Sequence, residues 1–145
     1  MSTTHVYDVA VNWDVDRKGI LSSTVLIPTI EVATPPEFSK GIPGIWSPEH
    51  LFIAAVNSCL MTTFLSIAEN SKLEFELFSS NATGKLEMIE GELMISEITL
   101  MPVVTIKAEK DKERVERILQ KSEAACLISN SIKSKIFFSP EVKIA

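Results

Sequence analysis

Two cysteines, Cys59 and Cys126, and two histidines, His5 and His50, are the side chains of this 145-residue chain with the widest chemical reach. Their spacing disfavours zinc, because structural zinc sites take four ligands in close pairs and no CxxC or HxxxH pairing is present. A disulfide framework fits no better, since a domain of this size with one possible bridge does not depend on staples to fold. The choice is therefore between two inert core thiols, free cysteine being among the most buried residue types, and one working pair. His50 follows an acid at a helix start, where a lone histidine reads as a surface or interface residue rather than a general base.

The elements that must position these groups belong to one domain, residues 1–145, of a size able to bury a single core. Apolar residues make up 46% and charged residues 23%, which excludes global disorder. The net charge of −5 has the wrong sign for a surface that tracks phosphates, so nucleic acid is not an expected partner. The start, MSTTHVYDVAV, lacks the basic and apolar regions of a signal peptide, and the expected compartment is the cytoplasm. Leu51 to Ala68 is eighteen residues without a charge, the lower limit for a membrane span. Asn57, Ser58, Thr62, Thr63 and Ser66 interrupt it and no Lys or Arg cluster flanks it, so membrane insertion is not expected. The better account is a helix covered on nearly every face by protein, which in so short a chain calls for a second subunit.

Val9, Val11 and Trp13 alternate with Ala10 and Asn12, which predicts a strand from His5 to Trp13. A polar turn ending at Gly19 leads to a second strand over Ile20 to Ile27, closed or edged by Pro28. Thr34 to Trp46, with PPEFSKGIPG inside it, is a thirteen-residue loop of the length that is often functional. Its Phe38 and Trp46 either line an apolar entrance or pin the loop to the core. Ser47-Pro48-Glu49 supplies an N-cap, a first-position proline and a first-turn acid, so a helix begins there and runs to about Asn70. Leu73 to Thr83 reads as a strand with a bulge or kink at Gly84, Glu90-Gly91 as a turn, and Glu92 to Lys107 as a strand with Pro102 at an edge or bulge. A second helix covers Asp111 to Cys126 with Val115, Ile118, Leu119 and Ser122 on one stripe, and Lys135 to Ile144 returns as a last strand. The class is α+β, with helices on one side of a sheet. Both cysteines fall on the two helices most apt to pack together, which strengthens the working pair.

The string SPEHLFIAAVNSCLMTTFLSIAE, with Pro-Glu at a helix start and a cysteine ten residues after the acid, resembles the peroxidatic helix of the OsmC/Ohr family of thiol peroxidases. EAACLISNSIKSKI resembles that family's second cysteine segment, and Arg17 in RKG its early-hairpin arginine. The order of elements agrees over essentially the whole chain. The resemblance implies an OsmC-like fold with an N-terminal β-hairpin or meander, a buried central helix, further antiparallel strands, a second helix and an intertwined homodimer. It implies a cysteine-based, peroxiredoxin-like reductase of organic hydroperoxides that needs no bound cofactor and takes electrons from an external dithiol, of lipoyl type. In the hydroperoxide-reducing branches the second cysteine is usually followed by Pro, whereas Leu127 stands here, so the subgroup and its substrate stay open.

Under that resemblance Cys59 attacks the peroxide and must ionise well below the free thiol value of about 8.5, which calls for a nearby permanent cation. Arg17 can supply it, with donors left for the peroxide oxygens, and Glu49 would hold the guanidinium in a bidentate pair. The bland readings are a solvated turn residue for Arg17 and a helix-dipole acid for Glu49. The resulting sulfenic acid would condense with Cys126. Glu49 and Cys59 lie ten residues apart, about 15 Å along one helix, so either the helix breaks or the acid comes from a second subunit across a two-fold axis. A thiol enzyme acting on another electrophile, and a non-catalytic module holding a small hydrophobic ligand, are the alternatives.

Overall fold

The early period-two pattern becomes a three-stranded antiparallel sheet in the computed structural model, which describes residues 3–145. Its strands are β1 (Ala10–Val15), β2 (Lys18–Ser23) and β3 (Leu26–Ala33), in the order β1-β2-β3. The first strand begins later than its alternation suggests, because the ladder with the six-residue β2 starts at Ala10 opposite Ser22. The expected strand from Ile20 to Ile27 is two strands. A turn at Thr24-Val25 divides it, and Ser23 Oγ accepts the Val25 N–H at 3.4 Å, the kind of local side-chain bond by which serine favours turns. Pro28 does not end a strand but lies within edge strand β3, where the register with β2 shifts between Leu21 and Ser23 and no ladder donor is demanded.

The loop from Thr34 to Trp46 is irregular, as its prolines and glycines require, and its ends are tied by the Ala33 N–H donating to the Trp46 carbonyl at 2.8 Å. Helix α1 (Pro48–Asn70) then starts where its cap dictates. Buried Ser47 accepts the His50 N–H on its hydroxyl at 3.1 Å and the Leu51 N–H on its carbonyl at 2.9 Å, satisfying donors that have no partner inside the helix. The chain divides into two compact units, one ending at Leu51 and the other Phe52–Ala145.

In the second unit, β4 (Leu77–Ile89) and β5 (Glu92–Ile106) form a long antiparallel hairpin. Residues Leu73 to Phe75 precede the strand rather than belong to it: Leu73 is buried, and Phe75 stands edge-on to Phe64 with ring centres 5.3 Å apart. The turn at Glu90-Gly91 has positive φ at both residues, 48° and 83°, the twist that matches two antiparallel strands. Gly84 lies in β4 where α1 crosses closely, and the register shifts just beyond it, between Lys85 and Leu86. Helix α2 (Lys112–Ala124) buries Val115, Ile118, Leu119 and Ser122, the stripe expected of it. The tail is two short strands rather than one, β6 (Lys135–Phe138) and β7 (Glu141–Ile144), broken at Ser139-Pro140. Both run parallel to β5, so the sheet is mixed and not wholly antiparallel.

Strand β5 is therefore the centre of this sheet, and the expectation of an edge at Pro102 is corrected. Pro102 sits, buried, between Leu100, opposite Phe138, and Val103, opposite Glu141, at the break in the parallel ladder where a proline costs least. Ile98, Leu100, Val104 and Ile106 point from β5 to one face. There they meet Val56, Leu60, Phe64 and Ala68 of α1 and Val115, Ile118 and Leu119 of α2, so both helices cover the same side. Within the chain α1 is not surrounded on every face. Its buried residues form one stripe at four-residue intervals, while Met61 and Leu65 are 39% and 41% exposed.

Candidate active site

Cys59 lies beside the buried stripe of α1, between Val56 and Leu60, and is half-buried. Asn57, two residues earlier, locks this turn to the sheet: its amide donates to the Ser80 carbonyl at 2.8 Å and its carbonyl accepts from the Ser80 hydroxyl at 2.6 Å. Cys126 follows the C-cap residue Ala125 of α2 and is fully buried. Its thiol faces the Val56 carbonyl at 3.9 Å, which seats it against the same turn of α1 that carries Cys59. The only two thiols of the chain are thus neighbours, both free.

Beyond Cys126 the backbone folds into a compact turn, with the Asn130 N–H donating to the Cys126 carbonyl at 3.1 Å and the Ser131 hydroxyl to the Leu127 carbonyl at 2.7 Å. The backbone N–H groups of Leu127 and Ile128 in this turn act as donors toward the Cys59 sulfur and lower its pKa. Burial pushes the Cys59 thiol up. The Ile128 N–H, the Cys126 thiol, the Thr63 hydroxyl at 3.9 Å and the Leu127 N–H outweigh it, and the thiol is held below its ordinary value. Burial pushes the Cys126 thiol up as well, there reinforced by Cys59 and only partly offset by the hydroxyl and N–H of Ser129, so this thiol is held above its ordinary value. The Ser129 hydroxyl is itself buried and completes no hydrogen bond of ordinary geometry, so its pull on the sulfur is weak. One thiol is therefore accessible and acidified, the other enclosed and neutral.

Arg17 and Glu49 line one cavity of about 480 Å³ in the first unit, with Thr34, Pro35, Phe38, Ser39 and Pro48. The bidentate pair expected between them is not formed: among the described residues no ion pair within 4.0 Å includes either, and Glu49 Oε1 is buried without a hydrogen-bond partner. The neighbouring hairpin cation, Lys18, is instead engaged by Glu31 at 2.9 Å and Asp14 at 3.2 Å. Phe38 lines the Arg17 cavity, whereas Trp46 belongs to a separate one with Gly44, Ile45 and His50. His50 is occupied in the helix cap, its Nδ1 2.6 Å from Ser47 Oγ. Sequence reasoning missed Asn57 and Thr63 as site residues, although polar side chains in so apolar a run were the available signal. It had no means of finding the Leu127 and Ile128 N–H groups, because a backbone donor leaves no mark in the sequence. A proline at 127 could not supply the first of them.

The family model described as OsmC-like protein matches residues 41–141, a span that holds Glu49, Cys59 and Cys126 but not Arg17. The chain is 25% identical to YmaD, an uncharacterised protein of Bacillus subtilis (strain 168), over 99% of its own length and 97% of that protein's. An OsmC-like protein of unknown function from Vibrio cholerae, VCA0330, has the same fold with a TM-score of 0.84, at 21% identity over 94% of this chain and 99% of that one. An organic hydroperoxide resistance protein from Elizabethkingia anophelis matches with a TM-score of 0.78, at 20% identity over the whole of both chains.

Proposed function

Because the chain belongs to the OsmC-like protein family, we propose that it is a thiol-dependent peroxidase that reduces organic hydroperoxides to alcohols. The observation that carries this reading is the paired thiols, one accessible and held low, the other buried and held high, against the same turn of one helix. The resistance function of the Elizabethkingia neighbour supports the substrate class. In the proposed cycle the Cys59 thiolate attacks one peroxide oxygen, the O–O bond breaks, and the alkoxide leaves as alcohol on taking a proton. The Cys59 sulfenic acid then loses its hydroxyl as water when the Cys126 sulfur attacks, giving an intramolecular disulfide. An external dithiol of lipoyl type reduces it, no bound cofactor takes part, and the reaction runs in the cytoplasm.

Arg17 and Glu49 complete the site from a second copy of the chain in this proposal. Helix α1 is unbroken from Pro48 to Asn70, so the alternative of a break between Glu49 and Cys59 has no support. The apolar side chains left uncovered on α1, together with exposed Val11, Trp13 and Ile27 in the first unit, are surfaces that an isologous dimer would bury. A guanidinium with no ion pair among the described residues, lining the same cavity as a carboxylate oxygen that lacks a donor, suits groups that close on a peroxide and a thiolate arriving together.

Stopped-flow oxidation of the reduced protein tests the reading. Cumene hydroperoxide and a fatty-acid hydroperoxide should oxidise Cys59 faster than hydrogen peroxide does, consuming both thiols per equivalent and leaving a Cys59 to Cys126 bond visible by mass spectrometry. No preference for the organic peroxides would turn the reading toward another electrophile. A stable Cys59 sulfenate with Cys126 still free would remove the resolving role.

A further inference from the structure

The two sulfurs differ most in access. Cys126 has no exposed surface, walled by the Val56 turn of α1 and the turn that follows α2, whereas Cys59 is reachable from outside. A thiolate that reduces a disulfide must approach one sulfur along the S–S axis from the side opposite the leaving sulfur. Two effects compete over which sulfur that is. Leaving-group strength favours attack on Cys126, since Cys59 is the more acidic thiol and departs more readily. Access favours attack on Cys59. Leaving-group strength only grades a rate, while a fully enclosed sulfur presents no line of approach until the surrounding turn opens.

Resting on the disulfide cycle proposed above, we infer that the external dithiol attacks Cys59 Sγ, so that the donor becomes covalently linked to the residue that meets the peroxide and Cys126 is expelled into its buried seat. The step balances: the donor thiolate forms a bond to Cys59 sulfur, the Cys59–Cys126 bond breaks, and Cys126 leaves as a thiolate that takes a proton. The donor's second thiol then attacks the donor sulfur of the mixed disulfide. It releases the Cys59 thiolate and leaves the donor as a cyclic disulfide, two electrons having passed to the protein. Reductant and peroxide thus share one entrance, and each excludes the other. Cys126 never meets an outside molecule.

The intact protein is oxidised with diamide instead of peroxide, exposed briefly to the monothiol 2-mercaptoethanol, quenched in acid and mapped by mass spectrometry. The adduct is expected on the Cys59 peptide with Cys126 as free thiol; an adduct on Cys126 overturns the assignment. Because adducts can migrate within the pair, thionitrobenzoate disulfides are also built on Cys126→Ser and Cys59→Ser proteins, and their release by dihydrolipoamide is followed by absorbance. The Cys59 adduct should react faster by about tenfold or more, as expected if the enclosed sulfur opens for about a tenth of the time or less. Equal rates, or failure of diamide to form the disulfide, would refute the inference. If the diamide disulfide forms and is reduced at Cys59 while no peroxide produces it, the peroxidase reading falls and this one stands.

Discussion

Gly84→Ala tests the seat that places Cys59. A Cβ at Gly84 would lie 2.2 Å from Ile53 Cδ1 and 2.7 Å from Ile53 Cγ1, both shorter than real contacts, so the Ile53 side chain or α1 itself must move. Overpacking of this kind costs about 1–3 kcal/mol. Replacing a strand glycine with alanine returns roughly 0.5–1 kcal/mol of conformational entropy. The net expectation is a destabilisation of about 0–2.5 kcal/mol from these two opposed effects. Ile53→Ala alone should cost about 2 kcal/mol, the low end for such truncations, because Ile53 is only partly buried. In that background both clashing atoms are gone, so Gly84→Ala should stabilise by about 0.5–1 kcal/mol. The sign reversal is a coupling of about 1–3 kcal/mol, far above the scatter of independent sites. Urea unfolding of the four proteins, with unchanged slope as the control for comparable unfolded states, reads it directly. The same small effect of Gly84→Ala in both backgrounds would refute the close crossing of α1 over β4, and with it the account of how Cys59 is held.

Alkylation of Cys59 by iodoacetamide should reach half its maximal rate at a lower pH in the folded protein than in the urea-unfolded chain, because the Ile128 N–H, the Cys126 thiol, the Thr63 hydroxyl and the Leu127 N–H favour its thiolate. Thr63→Val should move that midpoint upward, with Thr63→Ser restoring it; a midpoint indifferent to both would remove Thr63 from the site. The neutral, buried Cys126 thiol contributes stability that is full below the unfolded-state thiol value and lost as pH rises through its own higher one, so Cys126→Ala should flatten the alkaline loss of stability seen by thermal melting. Cys59, displaced the other way, contributes stability above the unfolded-state value, and Cys59→Ala should steepen that loss. Mixed dimers of Cys59→Ser and Arg17→Ala chains should keep about half the activity of a wild-type dimer, since one shared site stays whole and the other loses both groups. Near-complete loss would place Arg17 and Cys59 of one chain in the same site.

Helix α1 could be bounded from sequence at both ends, because a capping serine, a first-position proline and the end of an apolar run act within a turn or two of themselves. The buried stripe of α2 and the turn at Glu90-Gly91 were legible for the same reason. What failed was pairing. Whether Ile20 to Ile27 is one strand or two, where β4 begins, and whether Pro102 lies at an edge or in the centre depend on partners many residues away. Periodicity records only which face of a strand is apolar, and it is silent on what lies beside that strand.

The site divides along the same line. Residue type singled out Cys59 and Cys126 as the only thiols and left the choice between inert and working open until the family resemblance was added. The second helix, expected to reach Cys126, ends at Ala124, and Cys126 sits just past its C-cap against α1. Arg17 and Glu49 entered through the family resemblance, as a cation and an acid suited to that chemistry, and they do line one cavity. Their separation within it, the enclosure of Cys126 and the donors that acidify Cys59 came only with the tertiary structure. Thiol acidity is set by burial and by nearby N–H and O–H groups, and those of Leu127, Ile128 and Thr63 come together with Cys59 only in the folded chain.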